Sequence, residues 1–151
     1  MPSALDELIT AGLEQVIGEG KMFQMGHFEK YGQSLPIIAN APPSLPFYFA
    51  AFCHQHAETT FIVDGEERLT FGQIYAQADA FARALVDGWG VQKGDRIGIA
   101  MRNAPSWIVA YMGALMAGGV ATLLNGWWQG GELADGIADA GCTLVLVDEP
   151  R

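Results

Sequence analysis

Short apolar segments alternate with longer helical ones in the last third of the chain, and this alternation constrains the fold more than any other feature. Residues 96–101, 120–124 and 143–147 have the length and composition of strands, and helical periodicity fills residues 105–117 and 132–140 between them. Strands joined by helices in this order pair parallel in one sheet. We therefore predict an α/β fold containing an incomplete doubly wound β-α-β-α-β sheet.

The composition of these strands predicts how the sheet is covered. Residues 144–147 are apolar throughout, and residues 120–124 are apolar except for Thr122. This composition indicates burial on both faces, because a strand with one solvated face alternates apolar and polar residues. In the strand at 96–101, large residues alternate with Gly98 and Ala100. We expect a helix to approach closely on the face that carries these two small residues.

A helix and a short hairpin are predicted ahead of the sheet. Residues 45–57 are largely apolar and are expected to be helical. Residues 59–63 and 68–70 are expected to be the two strands of a hairpin, joined by a tight turn at Asp64-Gly65.

A long helix should follow the hairpin. Thr70 and Gln73 have the spacing of a capping box, and Gly88 and Gly90 should end the helix. Its buried face is predicted from positions at helical spacing: Ile74, Ala78, Phe81 or Ala82, Leu85 and Trp89.

The first 45 residues have a different character. Ser3 and Asp6 have capping-box spacing and begin an amphipathic helix, whose acidic polar face favours packing on protein over an anionic membrane. Residues 35–46 carry four prolines and are expected to be an extended linker. We therefore predict two regions, an N-terminal one over residues 1–45 and a folded domain over residues 46–151.

Charge and cysteine content exclude several classes of protein. A formal net charge of −9 would repel polyanions, so nucleic acid is not an expected partner. The only two cysteines, Cys53 and Cys142, cannot form a disulfide framework or a four-cysteine zinc site. No signal peptide is expected at the start, and a cytoplasmic location is predicted.

One uncharged run suggests a membrane span as an alternative. Residues 107–124 are long and apolar enough to cross a bilayer. However, Gly118-Gly119 interrupts the run and no Lys/Arg cluster flanks it. A buried helix followed by a buried strand explains the same residues, so no transmembrane span is predicted.

Motifs for phosphate binding and nucleophilic catalysis are missing. Gly20-Lys21 lacks both the preceding glycine and the following hydroxyl residue of a P-loop, and Gly88-Trp89-Gly90 follows a helix where a dinucleotide motif follows a strand. No serine lies in a Gly-x-Ser-x-Gly elbow. We assign no catalytic and no cofactor-binding residue.

Cys53, His54 and His56 are the densest group of candidate metal ligands. In the helix predicted over 45–57, residues two apart point in different directions, so the two histidines cannot bind one ion together. We predict no metal site and expect both histidines to face solvent.

Trp127 and Trp128 are the strongest candidates for a ligand contact. They follow the strand at 120–124, and open α/β sheets bind ligands at the carboxyl ends of their strands. Adjacent residues face different ways, so we expect one tryptophan to pack in the core and the other to line a pocket.

Several segments, in the same order along the chain, resemble motifs of the adenylate-forming family, the AMP-forming acyl-CoA synthetases. Leu69-Thr70-Phe71-Gly72-Gln73-Ile74 resembles its first core motif, with Gln73 in place of the usual Glu, and residues 115–125 are similar to its second. Between them, residues 90–97 and 103–107 resemble a "GVxxGDRVAI" strand and an "NxPEW" helix start, with Ser106 in place of the Glu. The resemblance covers residues 45–149, and its order and spacing make it more specific than any single motif.

The resemblance implies a parent enzyme that converts a carboxylic or fatty acid, ATP and CoA to acyl-CoA, AMP and pyrophosphate with the help of Mg²⁺. Residues 46–151 would be the first part of its large N-terminal domain. The family's Ser/Thr/Gly-rich phosphate loop and catalytic lysine have no counterpart in this sequence. The chain is therefore expected to be an inactive N-terminal fragment whose partner is the rest of the parent enzyme.

Two alternatives remain open at this stage. A stand-alone interaction module would keep the scaffold without the catalysis, and a membrane component would depend on detergent. If the chain is a fragment, residues 144–147 should expose apolar surface and unpaired strand groups, so self-association is also expected.

Overall fold

The structure is a computed structural model that describes residues 2–149. It divides into two compact units, Met1–Pro43 and Ser44–Arg151. The first contains a helix and two strands: α1 (Ala4–Val16), β1 (Met25–Lys30) and β2 (Gln33–Ile38). The second contains four helices and five strands: α2 (Leu45–Gln55), β3 (Thr60–Asp64), β4 (Glu67–Thr70), α3 (Phe71–Trp89), β5 (Arg96–Ala100), α4 (Pro105–Met116), β6 (Val120–Leu123), α5 (Gly130–Ala140) and β7 (Leu144–Val147).

The first unit contains a hairpin that the sequence did not predict. The capping box of Ser3 and Asp6 is present at the start of α1. β1 and β2 pair antiparallel, with Pro36 opposite His27. The prediction of a linker was therefore wrong for residues 35–38. A two-stranded hairpin accommodates the proline because each of its strands has a free edge.

The hairpin and long helix of the second unit follow the prediction closely. β3 pairs antiparallel with β4, but Asp64 is paired with Glu67, so the turn is formed by Gly65-Glu66, one residue later than predicted. The capping box of Thr70 and Gln73 begins α3. The helix ends at Trp89, where Gly90 has a left-handed backbone conformation (φ 68°).

The central sheet has the predicted parallel α/β topology. β5 lies in the middle and pairs parallel with β6 on one side and β7 on the other. Among the strands of residues 2–149, only β5 has a neighbour on both sides, and its residues Ile97 and Ile99 are completely buried. The sheet therefore places the carboxyl ends of all three strands along one edge.

Two hydrophobic clusters hold the second unit together. One is formed by Leu85, Val91, Ile97 and Ala114, which join α3 and α4 to β5. The other is formed by Cys53, Ile74, Ala78 and Met112, which join α2, α3 and α4. Trp89 was predicted to lie on the buried face of α3 but is 63% exposed, because it lies in the last turn, beyond both clusters.

The flanking strands are less buried than their composition predicted. Val120, Leu123 and Val147 are each about half exposed, because β6 and β7 are edge strands of the three-stranded sheet. On the small face of β5, the nearest groups to Gly98 are the side chains of Leu124 and Cys142. Side chains, not a helix, thus make the close approach predicted there.

The uncharged run forms a short helix and a strand. α4 has 12 residues and is followed by β6. Within residues 2–149, none of the helices combines the length and the hydropathy that crossing a membrane requires.

Candidate functional site

The chain segments that leave β5, β6 and β7 meet at the carboxyl edge of the sheet and enclose a groove of about 540 Å³, here called the carboxyl-edge groove. Its wall is formed by Met101, Arg102, Asn103, Ala104, Trp107, Leu123, Leu124, Asn125, Gly126, Trp127 and Asp148. The position follows from the topology, because parallel strands deliver their following residues to the same side of the sheet. The wall of the groove brings aromatic, amide and charged side chains together.

Arg102 and Asp148 form an ion pair that ties the end of β5 to the end of β7. Arg102 Nε donates to Asp148 Oδ2 at 2.8 Å, and the backbone N–H of Arg102 donates to the same oxygen at 3.4 Å. The hydrogen bond from the Arg102 side chain holds the pKa of Asp148 below its ordinary value, against a smaller opposing effect of desolvation.

Both partners keep unused hydrogen-bonding capacity. Asp148 Oδ1 is buried without a hydrogen-bond partner among residues 2–149. The Arg102 side chain is 52% exposed, and within the same residues its outer two nitrogens donate no hydrogen bond. The groove therefore offers an anionic group the donors of one guanidinium whose position is already fixed.

The Arg102–Asp148 pair predicts how stability depends on pH. Because the pKa of Asp148 is lower in the folded than in the unfolded chain, the pair stabilises the fold above about pH 4 and loses this contribution as the pH falls. We expect Asp148→Asn to be less stable than the native chain at about pH 7 and to approach it at about pH 3. Urea unfolding of both proteins at the two pH values measures this. A stability difference independent of pH would contradict it.

Trp127 and Trp128 have different surroundings. Trp127 is 81% exposed and lies in the wall of the carboxyl-edge groove. Trp128 is half-buried and its indole lies against Gly136 of α5. Asn125 fixes the turn that carries them. Its Oδ1 accepts a hydrogen bond from the backbone N–H of Trp127 at 3.0 Å, and its backbone oxygen accepts one from the backbone N–H of Trp128 at 3.1 Å.

The candidate metal ligands are not brought together. Cys53 is buried, and burial raises the pKa of its thiol. His54 lies edge-on to the Tyr75 ring and is exposed as predicted. His56 was expected to face solvent but is half-buried. It caps the end of α2, and its ring lies close to the rings of Phe52 and Phe71. In the described part of the chain, no group of three or more His, Cys, Asp or Glu side chains is arranged to hold a metal ion.

The second unit has two further grooves. One, of about 510 Å³, lies between β3 and the start of α4 and shares Asn103, Ala104 and Trp107 with the carboxyl-edge groove. The other, of about 450 Å³, is almost entirely apolar and lies between β7 and the helices α3 and α4.

Sequence reasoning identified Trp127 and Trp128 but missed Arg102, Asn125 and Asp148. Each of these three polar residues lies within two positions of the end of a strand. That position was available as a signal, because residues just after parallel strands share one edge of a sheet. The ion pair itself joins residues 46 positions apart and required the topology.

Comparison with known proteins finds relatives among AMP-binding enzymes and fatty-acid–CoA ligases. A family model described as AMP-binding enzyme matches residues 49–151. A medium/long-chain-fatty-acid–CoA ligase of Mycobacterium tuberculosis is 31% identical over 112 residues, which is 73% of this chain and 18% of that ligase. The chain spans less than a fifth of the length of the fatty-acid–CoA ligases among its curated relatives.

Solved structures share the fold of about 70% of the chain. The chain is similar to o-succinylbenzoate coenzyme A synthetase from Bacillus subtilis in complex with AMP, with a TM-score of 0.65 and 22% identity over 69% of this chain and 27% of that one. It is also similar to the N-terminal subdomain of NpsA from Klebsiella oxytoca in complex with 3-hydroxybenzoyl-AMSN, with a TM-score of 0.66 and 17% identity over 70% of this chain and 26% of that one. At these identities the likeness shows the fold.

Proposed function

The chain belongs to the family of AMP-binding enzymes, and from this premise we propose that it serves as the N-terminal scaffold of an AMP-forming acyl-CoA synthetase. Such an enzyme converts a carboxylic acid, ATP and CoA to acyl-CoA, AMP and pyrophosphate. The observation that carries the proposal is the family match over residues 49–151, which contains the whole three-stranded sheet and its carboxyl-edge groove. The fatty-acid–CoA ligases among the relatives favour a fatty acid as the substrate.

The carboxyl-edge groove fits only part of the reactants that this function requires. Trp127 offers an exposed aromatic face, and Arg102 offers donors for one anionic group. A triphosphate with Mg²⁺ needs several phosphate donors and carboxylate ligands, and residues 2–149 provide no such metal-binding cluster. We therefore assign the polyphosphate and the metal to other segments of the enzyme, and we assign to Trp127 a contact with a bound reactant.

The partner that follows from this function is the rest of the ligase. The curated relatives are several times longer than this chain, and the apolar groove beside β7 offers surface for further polypeptide. Self-association through the same strand stays a prediction. A cytoplasmic location is part of the proposal and is supported by the two free cysteines.

Pyrophosphate exchange tests whether the catalytic groups lie in the rest of the enzyme and not in this chain. The purified 151-residue chain is expected to show no acid-dependent exchange of pyrophosphate into ATP, because it has no loop of donors for the phosphates. A chimera in which residues 49–149 replace the matching segment of the M. tuberculosis ligase should catalyse acid- and CoA-dependent formation of AMP. Assays with acids from acetate to palmitate would cover the substrate range.

Two outcomes would contradict the proposal. Turnover by the isolated chain would show that it carries its own catalytic groups. A chimera that is folded by circular dichroism but inactive with every acid would show that the chain is not an equivalent scaffold, and this result would favour a stand-alone interaction module.

A further inference from the structure

Gly136 occupies an unusual position for a glycine. It lies in the middle of α5 (Gly130–Ala140) with a right-handed helical backbone, where glycine is less favourable than alanine and no positive φ requires it. Its presence therefore calls for a reason outside the helix backbone.

The indole of Trp128 supplies that reason. A Cβ atom placed on Gly136 would lie 2.4 Å from Trp128 Cζ3, 3.1 Å from Cη2 and 3.3 Å from Cε3. The first distance is far shorter than any van der Waals contact, and three ring atoms are involved, so a small rotation of the ring does not remove the clash. Gly136 thus forms the seat on which the six-membered ring of Trp128 rests.

The seat of Trp128 is linked to Trp127 through one rigid turn. Trp128 and Trp127 are adjacent, and the backbone N–H groups of both donate to Asn125. On the other side of the turn, Gly126 packs so closely on the end of β5 that an added Cβ would lie 3.0 Å from the Met101 carbonyl oxygen. The turn is therefore held at Asn125, at Gly126 and at Trp128, and Trp127 projects from it with 81% of its surface exposed.

We propose that Gly136 and Trp128 are positioning residues that set where Trp127 stands in the wall of the carboxyl-edge groove. Trp128 packs against α5, and the turn that carries both tryptophans fixes the position of Trp127 relative to this helix. The consequence for substrate binding rests on the proposed function, whereas the link between Gly136 and Trp127 is a property of this chain by itself.

Fluorine NMR of the chain labelled with fluorotryptophan tests the link without any activity assay. The four tryptophans give four resonances, and the variants Trp127→Phe, Trp128→Leu and Trp89→Phe identify three of them. In Gly136→Ala we expect the resonances of both Trp128 and Trp127 to shift, while that of Trp89, on the exposed end of α3, stays in place. Gly131→Ala is the matched control, because this glycine is in the same helix and has nothing within 4 Å of an added Cβ.

A second variant makes the test specific to the indole. In a Trp128→Leu background the smaller side chain leaves room for a methyl group, so adding Gly136→Ala should no longer shift the Trp127 resonance. If Gly136→Ala alone does not fold, Trp128→Leu must itself shift the Trp127 resonance. A Trp127 resonance that is unchanged when the seat is altered, or one that shifts equally in both backgrounds, would overturn the proposal.

The same variants in the chimeric ligase measure the consequence for function. Displacing Trp127 should raise the KM of one reactant about tenfold and leave kcat nearly unchanged, because a groove wall contributes to binding and not to the reacting atoms. Gly131→Ala should change neither constant. An unchanged KM together with a shifted Trp127 resonance would leave the link intact and refute the contact between Trp127 and a reactant.

Discussion

Replacement of Leu85 by alanine is expected to lower the free energy of unfolding by about 3 kcal/mol. Leu85 is completely buried in the cluster that joins α3 and α4 to β5, where it packs with Val91, Ile97 and Ala114. Truncation removes the transfer free energy of three carbons and leaves a cavity that the backbone of a packed helix cannot fill. Urea unfolding followed by circular dichroism measures the loss.

Val86 provides the matched control for Leu85. It is the next residue of α3 but is 44% exposed, so Val86→Ala should change the stability by less than about 0.5 kcal/mol, as exposed substitutions usually do. Equal losses at the two positions would show that α3 does not present Leu85 to the sheet as the structure describes.

Replacement of Gly113 by valine is expected to cost about 3 kcal/mol for the opposite reason, overpacking. α3 and α4 cross at this glycine, where an added Cβ would lie 2.7 Å from Phe81 Cδ1 and 3.2 Å from the backbone oxygen of Ala78. The side chain of Phe81 can rotate, but the carbonyl of Ala78 belongs to the helix, so the two helices must separate. The melting temperature and the urea midpoint should both fall.

Gly88 separates this steric effect from the general effect of glycine in a helix. It also lies inside a helix, α3, but nothing is within 4 Å of an added Cβ. Gly88→Val should therefore change stability by less than about 0.5 kcal/mol, since valine is slightly the better helix former. A comparable loss in both variants would mean that backbone propensity, and not the contact between α3 and α4, determines the result.

Much of the fold was predictable because its signals are local. The capping boxes at Ser3 and Thr70 specify where α1 and α3 begin, and the alternation of apolar segments specifies the parallel sheet. The N-terminal hairpin was missed because its signal is weak. Its turn is Tyr31-Gly32, in which Tyr31, with a positive φ of 52°, takes the place of the usual Asn or Asp. In addition, Pro36 argues against a strand.

The burial of the strands was less predictable than their existence. The apolar composition of β6 and β7 predicted cover on both faces, yet Leu123 and Val147 are about half exposed. The composition of a strand indicates the environment in which it is stable, whereas its exposure depends on the elements that actually pack beside it. In a three-stranded sheet only the central strand has a neighbouring strand on each side.

The sequence by itself determined that residues 96–147 form a parallel β-α-β-α-β sheet and that the chain resembles the adenylate-forming enzymes, because periodicity, helix caps and the order of motifs can be read along the chain. Only the tertiary structure decided that Arg102 pairs with Asp148, that Trp127 is exposed while Trp128 rests on Gly136, and that the carboxyl-edge groove exists. These features join residues that are distant in the chain, and packing brings them together only after the sheet has formed.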